Sequence, residues 1–437
     1  MKKRTFFSLL AGLMIGLFLG ALWHWMWIFP FPELSTWRSN LGKQPTPSTG
    51  RWLPIPRAPA GGGLSEQQQR EIQRLEAIGY LSGSRAATDR SDVTLHDEQR
   101  AFQGFNLIVS GHGPEAILTD MSGRTIHTWR RDISDVWPDF EPDGEDNVTH
   151  TYWRRVHLFP NGDLLAIFGG IGVIKVDKDS RLRWSVRNAA HHDLDVAPDG
   201  KIYLLTRQAH INPAYNAEKP ILEDYVTVLS AKGEHLKSVS ILRLLENSPY
   251  APILRRLESH GNILHTNTIE VLANRPTEGP CPFNPDHLLI SVRQLDLVAV
   301  VDLQAETLVW AESDLWHRQH QPTLLPNGNL LVFDNRTTPR ASTVLELDPG
   351  SRIPLWSYRG TESHPFFTEN IGSCQRLANG NTLITESEPG RAFELTSDKE
   401  IVWEYISPHR AGDHDQLVAT LFEVIRLPPD VPLDWLP

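Results

Sequence analysis

At 437 residues, with 40% hydrophobic and 22% charged residues, the chain has the balance of a globular protein. It is too long for one ordinary core unless that core is a ring of repeats. A formal charge of −11 with no long Lys/Arg run excludes a nucleic-acid partner, which needs a basic face to displace counterions from phosphates.

The chain opens on Met1-Lys2-Lys3-Arg4, then runs from Phe6 to Phe29 with no formal charge apart from titratable His24. Such a run exceeds the ~20 residues a helix needs to cross a bilayer. No clean small-x-small cleavage site follows it, and Trp23, Trp25 and Trp27 suit an interfacial aromatic belt. Residues 1–29 are therefore expected to be an N-terminal transmembrane helix, an uncleaved signal-anchor. The basic residues precede it, which keeps the N-terminus in the cytoplasm and puts the rest on the extracytoplasmic, periplasmic side. A cleaved signal peptide is the competing reading.

Residues 30–63 are rich in Pro and Gly and read as a tether. Ser65 and Gln68 then form a capping box ahead of Ile72, Leu75 and Ile78, with Gly79 as a stop, so a short helix is predicted over Leu64 to Gly79. It should pack on the domain that follows, with residues 64–94 as helix and connection.

From Leu95 the pattern changes to short alternating strands. AILTDMSGRTIHTW, GVIKVDKDSRLRW, VAVVDLQAETLVW, TVLELDPGSRIPLW and AFELTSDKEIVW end on Trp129, Trp184, Trp310, Trp356 and Trp403. VTVLSAKGEHLKSVSI has the same pattern without Trp. Ahead of most copies stands a hairpin on Asn-Gly or Asp-Gly: HLFPNGDLLAIF, DVAPDGKIYLLT, TLLPNGNLLVFD and QRLANGNTLITE. Four strands per unit at ~40 to 50 residues is the period of a propeller blade, whose sheet buries both faces only when neighbours stack on it. Six units give an all-β, six-bladed β-propeller over residues 95–437.

Several features carry no assigned role. Asp139 to Asp146 is acidic but lacks EF-hand spacing, and Asn147-Val-Thr is a sequon only where the source glycosylates. Cys281 and Cys374 lie in different predicted blades, and a bond between them requires α-carbons within ~7 Å.

A propeller converges the inner strand of each blade on one channel, so polar residues at the starts of those strands are the candidates for chemistry. They are His191-His192-Asp193, His265-Thr266-Asn267, Ser291-Val292-Arg293, Gln319-His320-Gln321, Asp334-Asn335 and Gly372-Ser373-Cys374-Gln375. Histidines at three equivalent entries would suit a catalytic zinc, but Arg293 beside them repels a cation and suits an anion, so no metal is expected. Of His191 and His192, alternation lets only one face the channel.

The segments HTNTIEVL, SVRQLD, QHQPTLLPNGNLLVFDN and GSCQRLANGNTLITES, with the opening FNLIVSGHGPEAILTDMSGRTIHTW, resemble the arylsulfotransferase family over about residues 103 to 427. The resemblance implies sulfuryl transfer from an aryl sulfate to a phenolic or other hydroxyl acceptor, without a nucleotide sulfate donor and with no cofactor. It implies His320 as the nucleophile that becomes sulfated. Arg293, His265 and Asn267 would hold the sulfuryl oxygens, with His192, or alternatively His191, facing the donor or leaving group. Asn335 joins the substrate-binding candidates. The alternative is a non-catalytic, membrane-anchored propeller that binds or scaffolds. A quinone-cofactor propeller, also marked by strand-ending Trp, generally has eight blades and fits less well.

Overall fold

The structure, a computed structural model, describes residues 65–76, 84–86, 88–142, 149–275, 278, 281–336, 339–411 and 414–436. The expected anchor, the tether, Gly79, residues 143–146 of the acidic stretch and Asn147 lie outside the described residues. Among the described residues no helix is long and apolar enough to cross a membrane.

The alternating segments form six antiparallel blades. In strand order from the channel outward, blade I is Leu421–Leu427, Phe105–Ser110, Glu115–Thr119 and Thr125–Arg130. Blade II begins at Arg155–Leu158, blade III at Ala190–Val196, blade IV at Thr266–Val271, blade V at His320–Leu324 and blade VI at Ser373–Arg376. The five Trp phrases are the outer two strands of blades I, II, IV, V and VI, and the Trp-less copy is blade III.

The repeated residues have physical work in this ring. At the four Asn-Gly or Asp-Gly hairpins only the glycine takes a left-handed φ, between +82° and +88° at Gly162, Gly200, Gly328 and Gly380. The Asn or Asp side chain before it accepts the N–H two residues on, as Asn161 does from Asp163 at 3.2 Å and Asp199 from Lys201 at 3.0 Å. The tryptophans fasten one blade to the next. Trp129 Nε1 donates to the Gly162 carbonyl at 2.9 Å, Trp403 Nε1 to Met121 at 3.0 Å and Trp356 Nε1 to Ser397 at 3.2 Å. The core lies between blades, as where Leu107 and Trp129 of blade I meet Val156 and Phe168 of blade II.

Two strands come from elsewhere in the chain. The inner strand of blade I is the C-terminal segment Leu421–Leu427, paired antiparallel with Phe105–Ser110. At the outer edge of blade VI, Asp92–His96 adds a fifth strand beside the Trp403 strand. Buried Glu394 of blade VI ties this seam together: it accepts from Phe102 N at 2.7 Å, from Asn381 Nδ2 at 2.6 Å and from Arg426 Nη1 at 2.9 Å.

The predicted helix is present as Glu66–Glu76. Its capping box closes reciprocally, Gln68 N donating to Ser65 Oγ at 3.1 Å and Ser65 N to Gln68 Oε1 at 3.0 Å. Ile72 packs on Ala209 and Leu222 of a long hairpin in blade III, made of Ile202–Asn212 and Asn216–Leu229. Cys281 and Cys374 are both free thiols.

Candidate active site

The inner strands enter the channel from the same mouth, and three of them are irregular there. The strand register shifts between His191 and Leu194, between Thr266 and Thr268, and between His320 and Thr323. His192, His265 and Gln321 take left-handed φ values of +51°, +53° and +43°. Bulges of this kind release a side chain from the ladder and re-aim it, and they collect at functional sites. Here they bring imidazoles from separate blades together: the rings of His192 and His265 are 4.8 Å apart between centroids, and a proton on His320 would disfavour one on either.

His320 is buried, with Nδ1 2.7 Å from Asn335 Oδ1. Asn335 Nδ2 donates to the carbonyls of Thr368 at 3.0 Å and Ile371 at 2.6 Å. Both amide hydrogens are thereby engaged, the oxygen must face the imidazole, and His320 must carry its proton on Nδ1. Nε2 is left with its lone pair. Burial, and then the Arg293 charge, push His320 down to about 3, so the ring is neutral at ordinary pH. Asn335, expected to bind substrate, therefore sits behind the nucleophile with its whole amide engaged inside the protein.

Arg293 lies beside His265, its N–H donating to the His265 carbonyl at 3.2 Å, while its guanidinium donates to Asn370 Oδ1 at 2.9 Å. His265 is the partly exposed imidazole, and Asn262 Nδ2 donates to its Nδ1 at 3.0 Å. Burial, followed by Arg293, holds His265 well below 6.5. Asn267 Nδ2 donates to the carbonyl of Gln319 at 2.9 Å and its Oδ1 accepts from Thr268 at 3.2 Å, so this amide braces the residue next to His320.

The adjacent histidines separate at the bulge. His192 meets His265, whereas His191 lies behind it, Nδ1 to Nδ1 at 2.8 Å, with its Nε2 3.5 Å from buried Asp224. Burial dominates in holding both imidazoles well below 6.5.

Sequence reasoning missed Arg154, Arg207 and Asp224. Arg154 had a signal: it stands seven residues before the turn Asn161, the offset of His192 from Asp199 and of His320 from Asn327. Arg207 and Asp224 had none, since they arrive on the long blade III hairpin. Asp224 Oδ2 accepts from Thr266 N at 2.7 Å, and Gly170 leaves the space Arg207 fills, since a Cβ there would lie 2.2 Å from its Nη2.

Below the cluster a buried ionic layer crosses the channel. Arg155 meets Asp193 at 2.6 Å and also Glu423, and Gln321 donates to Glu423 at 2.9 Å. A cavity of 550 Å³ is lined by these residues and runs on past Asp195, Glu270 and Thr323. None of His192, His265, His320 and Arg293 lines it; they stand at or just beyond the ends of the blade strands. Neutral imidazoles among fixed guanidinium charges suit an oxyanion rather than a cation.

No curated protein matches the sequence. Among solved structures the chain is similar to a protein of unknown function from Bacteroides caccae, at 13% identity, covering 73% of this chain and 99% of that one with a TM-score of 0.45. A functionally unknown protein from Desulfotomaculum acetoxidans is similar at 9% identity, over 73% and 98% of the two chains, TM-score 0.40. BamB from Moraxella catarrhalis is similar at 10% identity, over 78% and 98%, TM-score 0.35. The sequence model of the arylsulfotransferase (ASST) family matches residues 155–408, more than half of the chain and all three histidine entries. This six-bladed propeller belongs to the arylsulfotransferase family.

Proposed function

We propose that the protein moves a sulfuryl group from an aryl sulfate to a phenolic or other hydroxyl acceptor through a sulfohistidine at His320, with no nucleotide donor. The observation that carries this reading is the amide of Asn335, which fixes the His320 tautomer and leaves Nε2 unprotonated at the mouth. A neutral imidazole is a competent nucleophile, and a covalent intermediate divides the transfer into two easier steps with ping-pong kinetics. Charge on the peripheral sulfuryl oxygens would be met by Arg293 and by His265. Fixed donors of this kind supply most of the rate in the closely related phosphoryl transfers. His192, neutral and adjacent, would exchange a proton with the departing or arriving oxygen. Residues 1–29 would anchor the enzyme, with the ring held outside the cytoplasm by the 30–63 tether.

The test is intact-protein mass spectrometry after brief exposure to excess 4-nitrophenyl sulfate and a quench that avoids acid. One added sulfuryl group, absent from His320→Ala, is the expected result. A folded protein that gains no adduct and releases no nitrophenol would return the assignment to a binding propeller.

A further inference from the structure

Arg154 is a buried cation at the cluster that the scheme above leaves unused. Its side chain is 6% exposed, and its Nε has no hydrogen-bond partner. The carboxylates whose charge it senses, Asp193 and Glu423, are both bridged by Arg155. What holds Arg154 in place is the face of Phe422, 5.0 Å from its guanidinium carbon. A buried cation without a counter-charge is costly, and an incoming anion relieves that cost.

Its position indicates which anionic atom it meets. Blades II and V lie three places apart in a ring of six, so Arg154 stands across the channel from His320. Its charge is felt at His320, His192 and His191. Sulfuryl transfer, like phosphoryl transfer, places the attacking and leaving atoms roughly in line. With the nucleophile on blade V, the bridging oxygen points toward blade II.

We infer that Arg154 is the counter-charge for that bridging oxygen, matching the phenolate as it leaves the donor and the acceptor oxygen as it enters. This rests on the sulfuryl-transfer reading. In the first half reaction the Nε2 lone pair of His320 forms the N–S bond while the S–O bond breaks, and that bond's electron pair stays on the phenol oxygen opposite Arg154. In the second, the acceptor's proton passes to neutral His192 as its oxygen forms the new S–O bond, the N–S pair returns to Nε2, and His192 releases that proton to solvent, where the departed phenolate is protonated. Burial, then the neighbouring charge of Arg155, brings Arg154 down to about 10, which leaves it charged near neutrality.

A leaving-group series decides the matter. Arg154→Met keeps the stem on Phe422 and removes the charge. Its kcat/KM should fall about a hundredfold with phenyl sulfate and far less with 4-nitrophenyl sulfate, whose phenolate needs little help; Arg154→Lys should recover much of the loss. A loss equal across the series, or none, overturns the inference. A second readout needs no turnover: 4-nitrophenol bound to the full-length protein should ionise at lower pH than when free. That shift should vanish in Arg154→Met and persist in Arg154→Lys. An identical titration in wild type and Arg154→Met, or no binding by wild type, also overturns it. Wild type that binds phenolate through Arg154 but transfers nothing would refute the sulfuryl-transfer reading alone.

Discussion

Asn335 decides what His320 can do. An imidazole whose two nitrogens exchange roles freely presents a lone pair at Nε2 only part of the time, whereas this one is fixed by an amide with no other option. Asn335→Ala should slow sulfation of His320 on the order of a hundredfold or more, as losing the orienting partner of a catalytic histidine does. Adduct formation followed by mass against time is the measurement. The pH profile of the same step tests the environment. Because the buried ring is held at about 3 instead of the ordinary 6.5, its free base persists as pH falls. The sulfation rate should therefore stay level from neutrality to roughly pH 5, where an unperturbed histidine would already be mostly protonated. The three histidines were legible in the sequence because repeats put them at equivalent strand entries. Arg154 shared their offset and was equally visible, but an Arg beside a second Arg reads as an ordinary charged strand end. What separates nucleophile, donor and brace is which amide atom faces which nitrogen, and side-chain packing from other blades sets that.

At the scale of strands, the alternating segments, the glycine turns and the tryptophan phrases were readable because each obeys a local rule. The seam was not. Leu421–Leu427 pairs with a strand more than 300 residues earlier, and nothing in its own alternation names that partner. The bulges at His192 and His265 were equally hidden: histidine is among the residues that tolerate left-handed backbone, but nothing in the apolar alternation marks where the register is interrupted. Glu394 is where the seam can be tested, because its carboxylate joins the entering chain at Phe102, blade VI at Asn381 and the closing strand at Arg426. Glu394→Gln leaves Arg426 buried without a counter-charge and should cost about 3–5 kcal/mol. Urea unfolding reads that loss, and a midpoint unchanged from wild type would show that the strand closes the ring without it.

For the whole molecule, the mouth sets the acid limit. His191, His192 and His265 are held well below 6.5 and His320 at about 3, each mainly by burial. The unfolded chain takes up protons at these positions near 6.5 while the folded one does not, so their contribution is level above that pH and falls as pH drops below it, against the opposite trend of buried Asp193 and Asp224, which burial raises to about 7 and about 6. In thermal midpoints between pH 8 and 4, wild type should lose ground relative to the His191→Gln, His192→Gln variant only below about pH 6.5. Blade I, shared between the two ends of the ring, also bears on how the protein is made. Blades II to VI are complete before blade I receives its inner strand, so until then Phe105–Ser110 is paired with Glu115–Thr119 on one side and bare on the other. An unpaired edge of that kind invites pairing with another chain. Leu421–Leu427 thus covers an edge laid down more than 300 residues earlier, and a nascent chain stalled just short of that strand would present an open arc with the edge uncovered.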